Sequence, residues 1–295
     1  MRWRWDQGRL DYFRFENVVS IAKVLCDLAG VPLNTKSDLL RVPLVEQTGL
    51  PFAPSHYKVW RNYARVFHCA MLATNVRNRL TVTELCQKLA APNNPLLSDE
   101  YLNFVFSRFT LPFPAFEDYD AKIAPLFPFV SIIKFLMVNY ERGCSLSDIF
   151  SYVVGNRCDG TEDLEYFRSL EPTQRNPKGD EERQVREMLV FMGQSSYLKW
   201  FDKHLYIDSV DFDSILKATI PYVDMTRPAD PTEAFLKLTA IAHGKLPSKF
   251  DIVLQDRKAT GFAVDEGGKV FLSHGKIERS PLVRKKFFEA HPTIV

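Results

Sequence analysis

Asp180-Glu181-Glu182-Arg183-Gln184-Val185-Arg186-Glu187-Met188-Leu189-Val190-Phe191-Met192-Gly193-Gln194 is followed almost at once by Ser196-Tyr197-Leu198-Lys199-Trp200-Phe201-Asp202-Lys203-His204-Leu205-Tyr206-Ile207-Asp208. In the first part, Val185, Met188, Leu189 and Met192 fall on one stripe of a 3.6-residue period, so a helix is expected over 180–194. The second part alternates apolar and polar residues about the tight polar centre Phe201-Asp202-Lys203, the pattern of a β-hairpin. Upstream, Ser131 to Asn139 reads as a helix, Arg142-Gly143 as a turn, and Ser145-Leu146-Ser147-Asp148-Ile149 as the start of a short helix.

Helix, short helix, helix and hairpin in that order describe a winged helix. The same beginning recurs earlier in the chain. Thr81-Val82-Thr83-Glu84-Leu85 matches Ser145-Leu146-Ser147-Asp148-Ile149 by class at all five positions, with Thr81 and Glu84 spaced as a capping box. Helices are expected from about Glu16 to Leu28, from His56 to Ala73 and from Ser98, while 43–56 reads as a Pro/Gly-rich connection. No wing is evident in this first part, which is winged-helix-like. The Pro/Phe-rich stretch 111–129 reads as a linker. After Pro228–Pro231 the character changes: a helix over 232–242, a strand over 250–255, a hairpin turning at Asp265-Glu266-Gly267-Gly268 and a basic helix over 280–290. The expected fold is mainly α with small β-hairpins: two winged-helix modules (1–110 and 111–226) plus a small α+β segment (227–295).

Lys plus Arg number 38 and Asp plus Glu 36 in 295 residues, with 46% hydrophobic and 25% charged residues. These values exclude a disordered chain, a coiled coil and a collagen-like fibre. The longest apolar stretch, Phe127 to Val138, is interrupted by Lys134 and too short to cross a bilayer. Met1-Arg2-Trp3-Arg4-Trp5-Asp6 lacks the apolar core of a signal peptide, so a soluble, cytoplasmic protein is expected. The five cysteines, Cys26, Cys69, Cys86, Cys144 and Cys158, show no Cys-x-x-Cys spacing and encode neither a disulfide framework nor a zinc site.

The sequence contains no Gly-x-Ser-x-Gly elbow, P-loop, dinucleotide turn or His-Glu-x-x-His. Asp256 and Lys258 follow the strand expected at 250–255, an arrangement a metal-dependent nuclease could use with Asp230 or Asp251. An Asp-x-Lys after a strand is common by chance, and an ordinary solvated turn is the favoured reading. A net charge of only +2 carries no global nucleic-acid signal, so any such reading rests on local patches. The helix over 180–194 would present Arg183, Gln184 and Arg186 outward, residue types that read guanine and adenine edges. Lys178, Lys199, Lys203 and His204 would contact phosphates around it. A solvated mixed-charge face is the plain alternative. In the first module the basic groups lie at Arg77 and Arg79, among others. Arg2 and Arg4 could form an arm along a groove, although Trp3 and Trp5 pinning the terminus to the core is favoured.

Val270-Phe271-Leu272-Ser273-His274-Gly275-Lys276-Ile277-Glu278-Arg279-Ser280-Pro281-Leu282-Val283-Arg284-Lys285-Lys286-Phe287-Phe288-Glu289-Ala290-His291-Pro292 resembles the segment that leads into an HNH endonuclease domain. The pair of winged-helix modules is also similar in architecture to target-recognition regions of restriction endonucleases. The resemblance implies a DNA-recognition region in a longer restriction endonuclease, with double-stranded DNA as partner. It implies a divalent metal and a structural zinc only in a following nuclease domain, and no cofactor in this chain. The family's metal-binding histidine, asparagine and zinc cysteines have no matching positions, so no catalytic residue is carried over. A palindromic target would imply a homodimer. The competing expectation is a winged-helix regulator or protein-interaction module without nuclease activity.

Overall fold

A computed structural model describes residues 2–5, 9–52, 58–93, 96–208, 211–223, 226–241, 265–266 and 269–270. The strand, basic helix and HNH-like segment expected after 242, together with Asp251, Asp256 and Lys258, lie outside the described residues apart from one two-residue strand pair.

The chain is mainly helical with small antiparallel hairpins. After a 3₁₀ turn at Leu10–Phe13, α1 (Phe15–Asp27) buries Val18, Ile21, Ala22 and Leu25 along the stripe expected from its periodicity. Next comes α2 (Arg41–Thr48), which overlaps the start of the stretch expected to be a connection. Pro43 misleads there: in the first turn of a helix a missing N–H costs nothing. α3 (Val59–Cys69) precedes a hairpin of β1 (Ala73–Val76) and β2 (Arg79–Val82). Arg77 and Asn78 both take positive φ at its tip, 50° and 62°, as a twist-matched two-residue turn requires. Then follow α4 (Glu84–Ala90) and α5 (Ser98–Arg108). The first unit therefore has a hairpin, placed before α4 rather than after its last helix.

The stretch 111–129 is packed structure rather than a loose linker. Phe113, Phe116 and Phe127 are buried and Leu111 bridges Leu126. Its prolines and aromatics mark chain that buries rings without regular hydrogen bonding. α6 (Pro128–Val138) begins on Pro128 and is buried nearly all round. Lys134, buried in that helix, donates from Nζ to the carbonyls of Gly160 and Glu162, which satisfies the ammonium within the apolar run.

β3 (Cys144–Ser145) leads into α7 (Leu146–Asp148) and a π-helical turn over Ile149–Val154. Ser145 caps α7 reciprocally: its Oγ accepts from the Asp148 N–H while the Asp148 carboxylate accepts from the Ser145 N–H at 2.8 Å. The matching motif at 81–85 caps differently. Thr83, not Thr81, accepts from the Cys86 N–H, at 3.0 Å, so the two helices start two positions apart and the class match does not carry the same geometry. α8 (Leu164–Arg168) and α9 (Glu181–Met192) follow, and then a hairpin of β4 (Leu198–Phe201) and β5 (His204–Ile207). β3, β5 and β4 form one antiparallel sheet in that order, with β5 in the centre. α10 (Phe212–Ala218) and α11 (Pro231–Thr239) complete the helices among the described residues. Asp230 caps α11 by accepting from the Glu233 N–H at 2.7 Å. Beyond it, β6 (Asp265–Glu266) pairs antiparallel with β7 (Lys269–Val270), so Asp265 and Glu266, expected in the turn, stand in the strand.

One continuous hydrophobic core runs from Trp3 to Leu238. All five cysteines are free; Cys26 and Cys86 bring their sulfurs to 3.8 Å between α1 and α4.

His68 on α3 lies edge-on to Trp60 and Phe235, at centroid distances of 5.6 and 5.3 Å, and its buried Nε2 has no partner among the described residues. Burial, helped by Arg65, brings its pKa down to about 4. Unfolded histidine titrates near 6.5, so between these values the unfolded chain binds a proton that the folded chain refuses. Stability contributed by neutral His68 is therefore complete above about pH 6.5 and is lost as the pH falls towards 4, amounting to about 3 kcal/mol. Urea midpoints measured across that window should fall more steeply for the wild type than for His68→Phe, which keeps the aromatic packing and removes the titration.

Candidate nucleic-acid interface

The apolar stripe of α9 faces the core, as its sequence requires. Its polar residues divide into two groups that periodicity does not distinguish. Glu181, Gln184 and Glu187 are buried, whereas Glu182, Arg183 and Arg186 are exposed. The reason lies at the other end of the chain. The extended segment 2–5 crosses α9, and its alternate side chains Trp3 and Trp5 point inward. The Trp3 N–H donates to Glu181 Oε1 at 2.8 Å and the Trp5 N–H to Gln184 Oε1 at 2.8 Å. Gln184, expected to reach outward to adenine, is instead a buried acceptor for the N-terminal backbone. Glu181 also accepts from Arg175 Nη2 at 2.6 Å and from the Lys178 N–H at 3.0 Å.

Trp3 and Trp5 therefore pin the terminus, as favoured from the sequence. The flanking arginines meet acids, Arg2 on Asp180 and Arg4 on Asp118. Among the described residues Arg186 has no ion-pair partner. Arg183, whose side chain is 52% exposed, is steadied by Glu187 at 3.1 Å.

The β4–β5 hairpin stands beside α9. Asp202 and Lys203 form its tip at φ 46° and 60°, and the His204 Nδ1–H donates to the Asp202 carbonyl at 2.8 Å. Lys199, Phe201 and Lys203 are exposed and His204 half-buried. Phe201, at 63% exposure, is a large ring left in solvent, with the Lys199 ammonium 5.5 Å from its centroid. In the first unit, Arg77 is exposed at the tip of the β1–β2 hairpin, while Arg79 donates to the Gly30 carbonyl at 2.7 Å.

Two functional candidates escaped sequence reasoning. Arg157 and Arg175 sit in loops with no periodicity, yet they line one cleft with Arg2 and Lys178, a cavity of about 480 Å³ floored by Val154 and Gly155. The only sequence signal was their membership in polar loops flanking short helices. Among the described residues no cluster of His, Cys, Asp or Glu is arranged to hold a metal ion, and no helix is long and apolar enough to cross a membrane.

No family model matches this chain, and no curated protein matches it. Its fold is similar to that of the BpuJ1 endonuclease binding domain, solved in complex with pyrene- and phenanthrene-modified DNA. The TM-score is 0.59 at 13% identity, over 81% of this chain and 96% of that one. At that identity the likeness is one of fold.

Proposed function

We propose that this chain binds double-stranded DNA as the recognition region of a restriction endonuclease. The observation that carries the reading is the surface made by α9 and the β4–β5 hairpin. Arg183 and Arg186 stand exposed on one face of a helix, and Lys199, Lys203 and His204 line a hairpin beside it. The order α6, β3, α7, α9, β4–β5, with the 149–154 turn and α8 inserted between α7 and α9, and the strand order β3–β5–β4 support a winged-helix reading. In that motif the third helix enters the major groove and the hairpin touches backbone. Support from outside the chain comes from the fold it shares with the BpuJ1 endonuclease binding domain, a structure that contains DNA.

Arg183 and Arg186 are assigned to base edges, and Lys199, Lys203 and His204 to phosphates. Phe201 adds an apolar ring that could pack against sugar or base. Gln184 is withdrawn from this set, and Arg2 and Arg4 act from the pinned segment rather than from a free arm. Arg77, at the other hairpin tip, is the first unit's exposed cation. The HNH-like pattern at 270–292 extends the proposal: recognition here would direct phosphodiester hydrolysis by a metal-dependent nuclease domain. A second reading, docking of a protein partner, draws on the exposed Ile220 and Val223.

Duplex binding followed by fluorescence anisotropy across a salt series separates the two. Phosphate-dominated binding should weaken steeply and log-linearly with salt, at about −0.9 per phosphate neutralised. A chain that ignores duplex DNA at low salt would refute DNA recognition.

A further inference from the structure

Four cations from three separate stretches converge on one concavity at the N-terminal approach to α9: Arg2, Arg157, Arg175 and Lys178, around about 480 Å³. Two carboxylates touch them. Asp180 pairs with Arg2 and Glu181 with Arg175, whereas Arg157 and the Lys178 ammonium have no partner among the described residues. The cleft thus keeps an excess of positive charge in a partly enclosed space, where an anion is held more strongly than on an open surface. A second observation points the same way. Arg2 Nε is buried and has no acceptor among the described residues, a donor that ordinary proteins do not leave unmatched.

The local backbone is shaped for the same arrangement. Gly179 takes φ +58°, a conformation that L side chains rarely adopt, and a Cβ there would stand 3.0 Å from Arg2 Nη2, so glycine suits this turn and the arginine lies close against it. Arg157 is itself held at φ 58°, a conformation that long side chains rarely adopt and that the surrounding loop must enforce.

We propose that this cleft is a phosphate site that grips the DNA backbone where the strand passes the start of α9, with Arg157 and Lys178 as its principal contacts and Arg2 Nε as an inner donor. The assignment rests on the DNA-binding reading above, and it would make the pinned N-terminus part of the contact surface. Arg175 is a positioning residue, since its guanidinium is tied to the buried Glu181.

The test is duplex binding by the full chain across a salt series, comparing wild type, Arg157→Asn/Lys178→Ala and Arg157→Lys/Lys178→Arg. Asparagine is chosen because it tolerates left-handed backbone, and thermal unfolding confirms that each variant folds. The neutralised variant should lose about tenfold to a hundredfold in affinity, and its salt slope should become shallower by about 1 to 2; the charge-conserving variant should keep both. Salt-dependent binding by the wild type with unchanged slope and affinity in Arg157→Asn/Lys178→Ala would overturn the cleft assignment alone. Absence of duplex binding by the wild type would instead remove the DNA reading and this site with it. Inorganic phosphate, titrated against chloride at matched ionic strength, provides the remaining arm. Phosphate binding lost in the neutralised variant while its DNA slope is unchanged would mark a free-anion site and overturn the backbone assignment.

Discussion

Trp5→Ala is expected to destabilise the folded chain by about 3–5 kcal/mol, the usual range for removing a large buried aromatic from a core. The ring is fully buried and lies 4.9–5.3 Å, centroid to centroid, from Phe13, Phe109, Phe129 and Phe191. Those four rings come from widely separated parts of the chain, so one truncation opens a void at their common junction. The loss extends past packing, because the backbone of segment 2–5 depends on α9 for its hydrogen bonds. Gln184→Ala should reproduce part of the effect, about 1–3 kcal/mol, by leaving the buried Trp5 N–H without its acceptor. Arg4→Ala, which removes only a partly exposed ion pair with Asp118, should cost about 1 kcal/mol or less. Urea or thermal unfolding of the three variants checks this order. Near-wild-type stability in Trp5→Ala would mean that the terminus is an arm and not a structural strut.

The second large effect concerns binding. Arg183→Ala/Arg186→Ala should weaken specific duplex binding by a hundredfold or more, since each well-placed contact to a base edge is worth about 1–3 kcal/mol. Arg186→Ala is the cleaner single change. Arg183 also bonds the buried Glu187, so its removal mixes a stability effect with a binding effect. Comparing cognate and random duplexes isolates the base-reading part: loss of base contacts narrows the gap between them, whereas loss of phosphate contacts lowers both together. Unchanged affinity of the double variant at moderate salt would sink the assignment of α9 as the reading helix.

Much of the fold was legible in the sequence because its helices carry strong apolar stripes. The stripe of α9 and the alternation of β4–β5 marked both elements, and the buried tryptophans of segment 2–5 agreed with the favoured expectation. α2 was missed because the Pro- and Gly-rich composition of 43–56 read as a connection, although Pro43 sits in the first turn, where proline is tolerated. β1 was missed because its turn, Arg77-Asn78, lacks the glycine that usually announces such a hairpin. The site was less legible. Arg183 and Arg186 were placed correctly on the outer face of α9, but Gln184 was not, and Arg157 and Arg175 gave no sign of belonging together.

The sequence by itself determined the local elements, since apolar period, capping residues and turn residues act within a few positions of one another. Tertiary structure alone decided which polar residues remain available to a ligand. Glu181 has the same intrinsic chemistry as the exposed Glu182, yet it and Gln184 are consumed by Trp3 and Trp5, which lie 178 and 179 positions away in the chain. The cationic cleft has the same origin. Residues 2, 157, 175 and 178 share a concavity only after the core has closed around the N-terminal tryptophans, because burial of those rings carries Arg2 to the loops on either side of α8.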